Sequence, residues 1–141
     1  MYHQIMKGYD MDEVLAFLKE AHTYFIATIN DGKPEVRPFG TIAQFEDRLY
    51  IQTGRVKDVC KQILADPAIA ICAFDGKGTW LRINATAVAD ERVEANEAML
   101  DDYPSLRGRY EANDGNCIVF YLKNATATFA SFTEAPRTVS S

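Results

Sequence analysis

Tight turns constrain this chain more than any other feature. Asn30-Asp31-Gly32-Lys33 and Asp75-Gly76-Lys77-Gly78 each separate two runs rich in β-branched, aliphatic and aromatic residues, and Glu46-Asp47 separates a third pair. Asp-Gly supplies the positive φ that a hairpin turn needs, so the flanking runs are expected to be antiparallel neighbours. The pattern predicts strands over 23–29, 35–45, 48–53, 68–74, 79–89 and 116–132, and short helices near 11–20, 56–65 and 91–102. A doubly wound parallel sheet needs a helix between most strands, and those helices are missing. The expected fold class is mainly β with short helices, a six-stranded antiparallel barrel with helices packed at its ends.

Individual segments sharpen this reading. Asp10 and Glu13 form a capping-box pair around Met11, Val14, Leu15 and Leu18, which recur at helical spacing. Val56, Val59, Cys60, Ile63 and Leu64 make one apolar stripe that leaves Lys57 and Lys61 outside it, and Asp66-Pro67 ends the helix. Pro38 cannot donate to a ladder, so its strand lies at an edge or bulges there. The 68–74 run is nearly all apolar and reads as buried on both faces. On 79–89, Trp80, Arg82, Asn84 and Thr86 share one face. Residues 1–141 read as one domain, with a core over about 10–133 and a polar, mobile tail at 134–141.

Composition then excludes partners. The 141 residues carry a formal net charge of −5, which argues against a non-specific nucleic-acid binder or a polybasic membrane binder. Any anion site is therefore a local basic patch in an acidic protein. The three cysteines, Cys60, Cys72 and Cys117, are odd in number, lack a C-x-x-C, and sit in apolar runs, so buried free thiols are expected. The opening MYHQIMKGYD has no signal-peptide core and no window approaches a membrane span, so the cytoplasm is the expected location. No P-loop, H-E-x-x-H or G-x-S-x-G occurs, and Gly76-Lys77-Gly78 is followed by strand-like residues, which makes it a hairpin turn. His3 and His22 stand apart from the cysteines, so neither a metal site nor a Cys–His pair is expected.

What carries chemistry is 37–64, a strand, a turn, a second strand and a helix, with Arg37 near one end and Lys57 at the helix start. A phosphate near Lys57 would meet an ammonium, helix N-terminal amides and the Thr53 hydroxyl, and Arg37 would add a bidentate clamp. Each residue also has a bland alternative: Lys57 as a surface helix residue, Arg37 as a surface strand residue pairing with Glu35 or Asp47. Residue type alone leaves both open.

The order R-P-x-G…L-Y-x-x-T-G-x-x-K-x-x-x-x-I…D-P-x-I, with WLRINATAVA and YLKNATATFASF after it, resembles the pyridoxamine 5′-phosphate oxidase-related, FMN-binding split-barrel family over roughly 10–133. The resemblance implies an FMN-binding split barrel with the cofactor in a groove between two subunits. Carried over residue by residue, it implies cofactor contacts from Arg37, Pro38, Phe39, Gln52, Thr53 and Lys57, and from Arg82, with Trp80 on the same face as Arg82 contacting cofactor or partner. Two departures stand out. Where the resembled oxidases place a lysine five residues after the arginine, to hold substrate phosphate, this chain has Ile42, and its end shows only Arg137 in place of their closing Trp and Arg. The implied protein is an FMN-dependent oxidoreductase of unassigned substrate, distinct from a vitamin B6 oxidase. The alternative is a non-catalytic flavin, haem or deazaflavin binder or redox sensor. Tyr50, Tyr103 and Tyr110 are the proton-donor candidates.

A homodimer is expected as well. Val119, Tyr121 and Phe129 cannot all share one barrel interior with Ile118, Phe120 and Leu122, since adjacent strand residues face opposite ways. The outward set needs a cover, either a second copy or the helices of 91–110.

Overall fold

The computed structural model describes residues 5–7 and 11–141; Asp10 and His3 lie outside the described residues. The strands are β1 Ile5–Lys7, β2 Tyr24–Asn30, β3 Lys33–Phe39, β4 Ala43–Phe45, β5 Arg48–Gly54, β6 Ala68–Phe74, β7 Thr79–Asp90, β8 Cys117–Ser131 and β9 Arg137–Ser140. The helices are α1 Met11–Ala21, α2 Asp58–Ala65 and α3 Val93–Asp102, followed by a 3-10 turn at Pro104–Leu106. Neighbours run β1-β9-β8-β7-β6-β2-β3, and β5 leaves this path to pair with β8 and with β4. The 15-residue β8 is the branch point: its first part pairs with β5, its second with β9, and β7 lies along its other edge. All the pairings are antiparallel except β1 with β9. This is the split barrel, mainly β with short helices, and no described helix is long and apolar enough to cross a membrane.

The hairpins follow from local chemistry. Asp31 (φ 53°) and Gly32 (φ 77°) turn β2 into β3, and Glu46 and Asp47 (φ 51° and 62°) turn β4 into β5. Two successive positive φ values give the turn whose twist matches paired strands. Of the two placements expected for Pro38, an edge or a bulge, it takes the edge, because among the described residues β3 pairs with β2 alone.

Several expectations are corrected. Among the described residues, nine strands replace six. The 35–45 strand breaks at Gly40–Ile42, where side chains take over from the ladder: Tyr24 donates to the Thr41 carbonyl (2.5 Å), and the Tyr103 hydroxyl accepts from the Ile42 amide and donates to its carbonyl (3.1 Å each). Such partners satisfy a buried backbone without a strand. The tail is not a free polar end. Arg137–Ser140 is β9, and Val139 is fully buried between β8 and β1. Helix α2 begins at Asp58, which leaves Val56 outside it; Val56 and Leu64 are exposed, and the buried stripe is Val59, Cys60 and Ile63. Strand β6 is buried on one face alone, leaving Cys72 and Phe74 exposed. Cys60 and Cys117 are buried as expected.

Two cores share strands β5 and β8. The larger holds Leu18 of α1, Ile26, Ile51, Ile63, Ile83 and Phe120. The smaller packs Tyr50 and Val119, on the opposite face of the same strands, against Ala95 and Met99 of α3. Helix α3 is thus the cover for Val119 and Tyr121 within one chain, while Phe129 packs edge-on against Phe17 of α1 with ring centres 5.7 Å apart. The outward residues that motivated a dimer are covered internally. A different face is left open: Phe25, Val36, Phe74 and Phe132 are 50–86% exposed.

Candidate functional site

A cleft of about 250 Å³ opens where β3, β5 and the start of α2 meet. It gathers Arg37, Pro38 and Phe39 from β3, Gln52 and Thr53 from β5, and Lys57 ahead of α2. Gly40, Thr41, Val59, Leu106, Arg109 and Tyr110 complete the wall. Trp80 and Arg82 do not line it. Arg82 pairs across the ladder with Cys72, Cys72 with Phe25 and Phe25 with Pro38, a row on the outer sheet face. Arg37 and Phe39 point the other way, in register with the buried Ile26 and Tyr24. Edge strand β3 is where the two meet, with Pro38 on the outer row and also on the cleft rim.

The cations of the cleft differ in their freedom. Arg37 takes neither partner suggested by its neighbours in sequence. Its Nη1 donates to Thr28 Oγ1 (2.7 Å) and the Ile26 carbonyl (3.3 Å), and its Nη2 donates to Gln62 Oε1 (2.7 Å). Thr28 donates to the same Gln62 oxygen (2.6 Å), so the guanidinium ties β3, β2 and α2 together. Burial lowers the Arg37 pKa, with the Glu35 carboxylate opposing, and the guanidinium stays charged. Lys57 occupies the N-cap of α2 in extended conformation (φ −80°, ψ 147°) and makes no capping bond. The turn ahead of it is fixed by Lys57 N–H to the Gly54 carbonyl (3.1 Å) and by Asn116, whose carbonyl accepts from Arg55 N–H (2.8 Å) and whose Oδ1 accepts from Val56 N–H (3.3 Å). The helix therefore presents its first amides beside a free ammonium, although Asp58 opposes an anion there.

Gly54, behind the cleft, packs close to Tyr110 and Asn116. A Cβ there would lie 3.1 Å from the Tyr110 hydroxyl and 3.2 Å from the Asn116 amide, so a larger residue would push those side-chain ends back by a few tenths of an ångström. Gln52 is held by its backbone N–H to Thr41 Oγ1 (3.3 Å) and by its Nε2 to the Thr53 carbonyl (3.0 Å). Cys117 lies behind Gln52, and burial, with Asp114 nearby, pushes its thiol up to about 11, which makes it a poor nucleophile. Of the three tyrosines singled out, Tyr50 is bound to Asp90 (2.8 Å) and Tyr103 to Ile42, leaving Tyr110 at the cleft. No group of His, Cys, Asp and Glu that could hold a metal occurs among the described residues.

Sequence reasoning missed Arg109, Thr41 and Leu106. The available signal was Arg107-Gly108-Arg109-Tyr110, two arginines around a glycine in an acidic chain.

The pattern of the pyridoxamine 5′-phosphate oxidase family matches residues 11–105. The chain belongs to this family. It is similar to a NimC/NimA family protein from Clostridium acetobutylicum, 34% identical, with 93% of this chain and 92% of that one covered and a TM-score of 0.89. A putative pyridoxamine 5′-phosphate oxidase from Listeria innocua shares the fold at 16% identity, 87% and 98% coverage and a TM-score of 0.64. A heme-binding protein from Mycobacterium smegmatis shares it at 13% identity, with 87% of this chain and 57% of that one covered and a TM-score of 0.63. No curated protein matches the sequence. The family match spans α1 to α3, and so includes every cleft residue except Leu106, Arg109 and Tyr110.

Proposed function

We propose that this member of the pyridoxamine 5′-phosphate oxidase family is a homodimeric FMN-binding flavoprotein and an oxidoreductase. The observation that carries the reading is the cleft itself. It puts a free lysine, helix N-terminal amides, the Thr53 and Thr41 hydroxyls and the Phe39 ring around one small volume. That donor set fits a phosphate on a hydroxylated chain leading to a flat apolar ring. Haem fits less well. It needs an axial His, Cys, Met or Tyr, and of the cleft residues only Tyr110 qualifies, with its hydroxyl packed against Gly54.

A cleft of about 250 Å³ is smaller than the roughly 300–1,000 Å³ of pockets that enclose a ligand of this size. A second surface must cover the rest of a flavin. The exposed Phe25, Phe74 and Phe132, with Trp80 packed on Phe132 at 5.1 Å between ring centres, offer that surface to a second copy. Trp80 and Arg82 join the cofactor site only through such pairing. A bound flavin supplies the hydride or electron chemistry. The chain binds and orients it, and Tyr110 is the one of the three candidate tyrosines that lines the cleft. Ile42, buried in the core, supplies no charge for a substrate phosphate, so pyridoxamine phosphate is not the proposed substrate.

The test is a melting-temperature panel with FMN, riboflavin and haem. FMN should raise the melting temperature most. A rise with haem alone, or with none of the three, would contradict the reading.

A further inference from the structure

The turn that follows α3 carries two arginines with opposite fates. Arg107 is tied back to α3, its Nη2 donating to Glu97 (3.1 Å) and Asp101 (2.7 Å). Gly108 then takes φ +97°, a conformation suited to glycine, and reverses the chain. The Arg109 and Tyr110 amides both donate to the Leu106 carbonyl (3.1 and 3.0 Å), and the Tyr110 hydroxyl rests over Gly54. Arg109 is thus held between two anchored residues, lines the cleft, and makes no side-chain hydrogen bond or ion pair among the described residues. Arg37, in contrast, already has three of its N–H groups engaged by Thr28, Ile26 and Gln62.

We propose that Arg109 is the second cation on the ligand's phosphate, sharing it with Lys57, a role that rests on the FMN reading above. A guanidinium with all its donors free can grip two phosphate oxygens.

The experiment titrates apoprotein with FMN and with riboflavin, which lacks the phosphate, and compares wild type with Arg109→Ala, Arg109→Lys and Arg55→Ala. Arg55, paired with Glu91 outside the cleft, controls for lost net charge. Arg109→Ala should weaken FMN by roughly ten- to a hundredfold and leave riboflavin unchanged. Arg109→Lys should recover part of the loss, because charge returns without the fork, and its melting temperature checks that the turn still folds. Equal losses for both flavins, an unmoved FMN-to-riboflavin ratio, or the same change in ratio for Arg55→Ala would overturn the role of Arg109. Wild type that binds neither flavin would overturn the FMN reading itself, and is distinct from wild type that binds FMN while Arg109→Ala binds it as well.

Discussion

Two clusters of charge in this protein are built in opposite ways. At the end of β7, Asp90 accepts from the Tyr50 hydroxyl (2.8 Å) and from Arg92 through its backbone N–H (3.1 Å), Nε (3.0 Å) and Nη2 (2.8 Å). Arg92 also forks onto Glu46 (3.2 and 2.6 Å) and lies over the Phe45 ring. Every charge there has a partner, and the cluster pins the β4–β5 hairpin to β7 and α3. In the cleft, Lys57 and Arg109 have none among the described residues. Charge that holds a fold is satisfied by the fold; charge left free beside a concave surface is available to a ligand. The two clusters should therefore respond differently to the same kind of mutation.

The largest effect is expected for Asp90→Ala. It strands the buried Tyr50 hydroxyl and removes the hairpin's anchor, at a cost of roughly 2–3 kcal/mol by denaturant unfolding. Lys57→Ala should change stability by less than about 0.5 kcal/mol while lowering FMN affinity more than riboflavin affinity. Similar losses of stability from both would erase the contrast.

The closed cluster should also set the limits of pH stability. The Arg92 side chain, with Tyr50 assisting, holds the Asp90 carboxyl down at about 2 against burial. A carboxyl depressed on folding binds a proton more readily when unfolded, so its contribution is present above about pH 4 and fades as pH falls through 2. Burial, with the Asp90 carboxylate adding to it, pushes the Tyr50 hydroxyl up to about 12. That contribution is complete below about pH 10 and is lost as pH rises through 12. Melting curves across pH should show both limbs, with Asp90→Asn flattening the acid limb and Tyr50→Phe the alkaline one. Unchanged limbs in these variants would place the pH dependence elsewhere.

A smaller effect, about 1 kcal/mol, is expected for Gly54→Ala, whose Cβ must displace the ends of Tyr110 and Asn116. Flavin affinity should fall with it, because Tyr110 anchors the turn that carries Arg109. Phe74→Glu should leave the monomer's stability nearly unchanged, since the ring is 56% exposed. Sedimentation should nonetheless show the proposed dimer dissociating. A dimer that survives this change pairs through another face.

What could be read from the sequence was what local chemistry decides. The Asp31-Gly32 turn, the edge position of Pro38 and the pairing of Arg37 with Lys57 in one cleft all follow from residue type and short spacing. What could not be read depends on distant partners. Arg137–Ser140 has a single large apolar residue, Val139, and becomes a strand because β8 offers an edge. Val119 and Tyr121 announced that something covers them, but alternation along β8 cannot distinguish α3 from a second subunit. The all-apolar β6 suggested two buried faces because an exposed apolar face leaves the same pattern. Residue type left Arg37 open between an anion clamp and a surface cation, and its partners Thr28 and Gln62 come from other elements. Arg109 sits in a turn without periodicity, where its aim depends on Gly54 and α3.

The central claim, that unpaired cations in the cleft hold the phosphate of a flavin, is tested most directly by titrating wild-type apoprotein with FMN and riboflavin at low and high salt. Two charge-assisted contacts predict FMN tighter by on the order of a hundredfold or more at low salt, with the gap narrowing as salt screens them. Equal affinity for the two flavins at low salt would contradict the account.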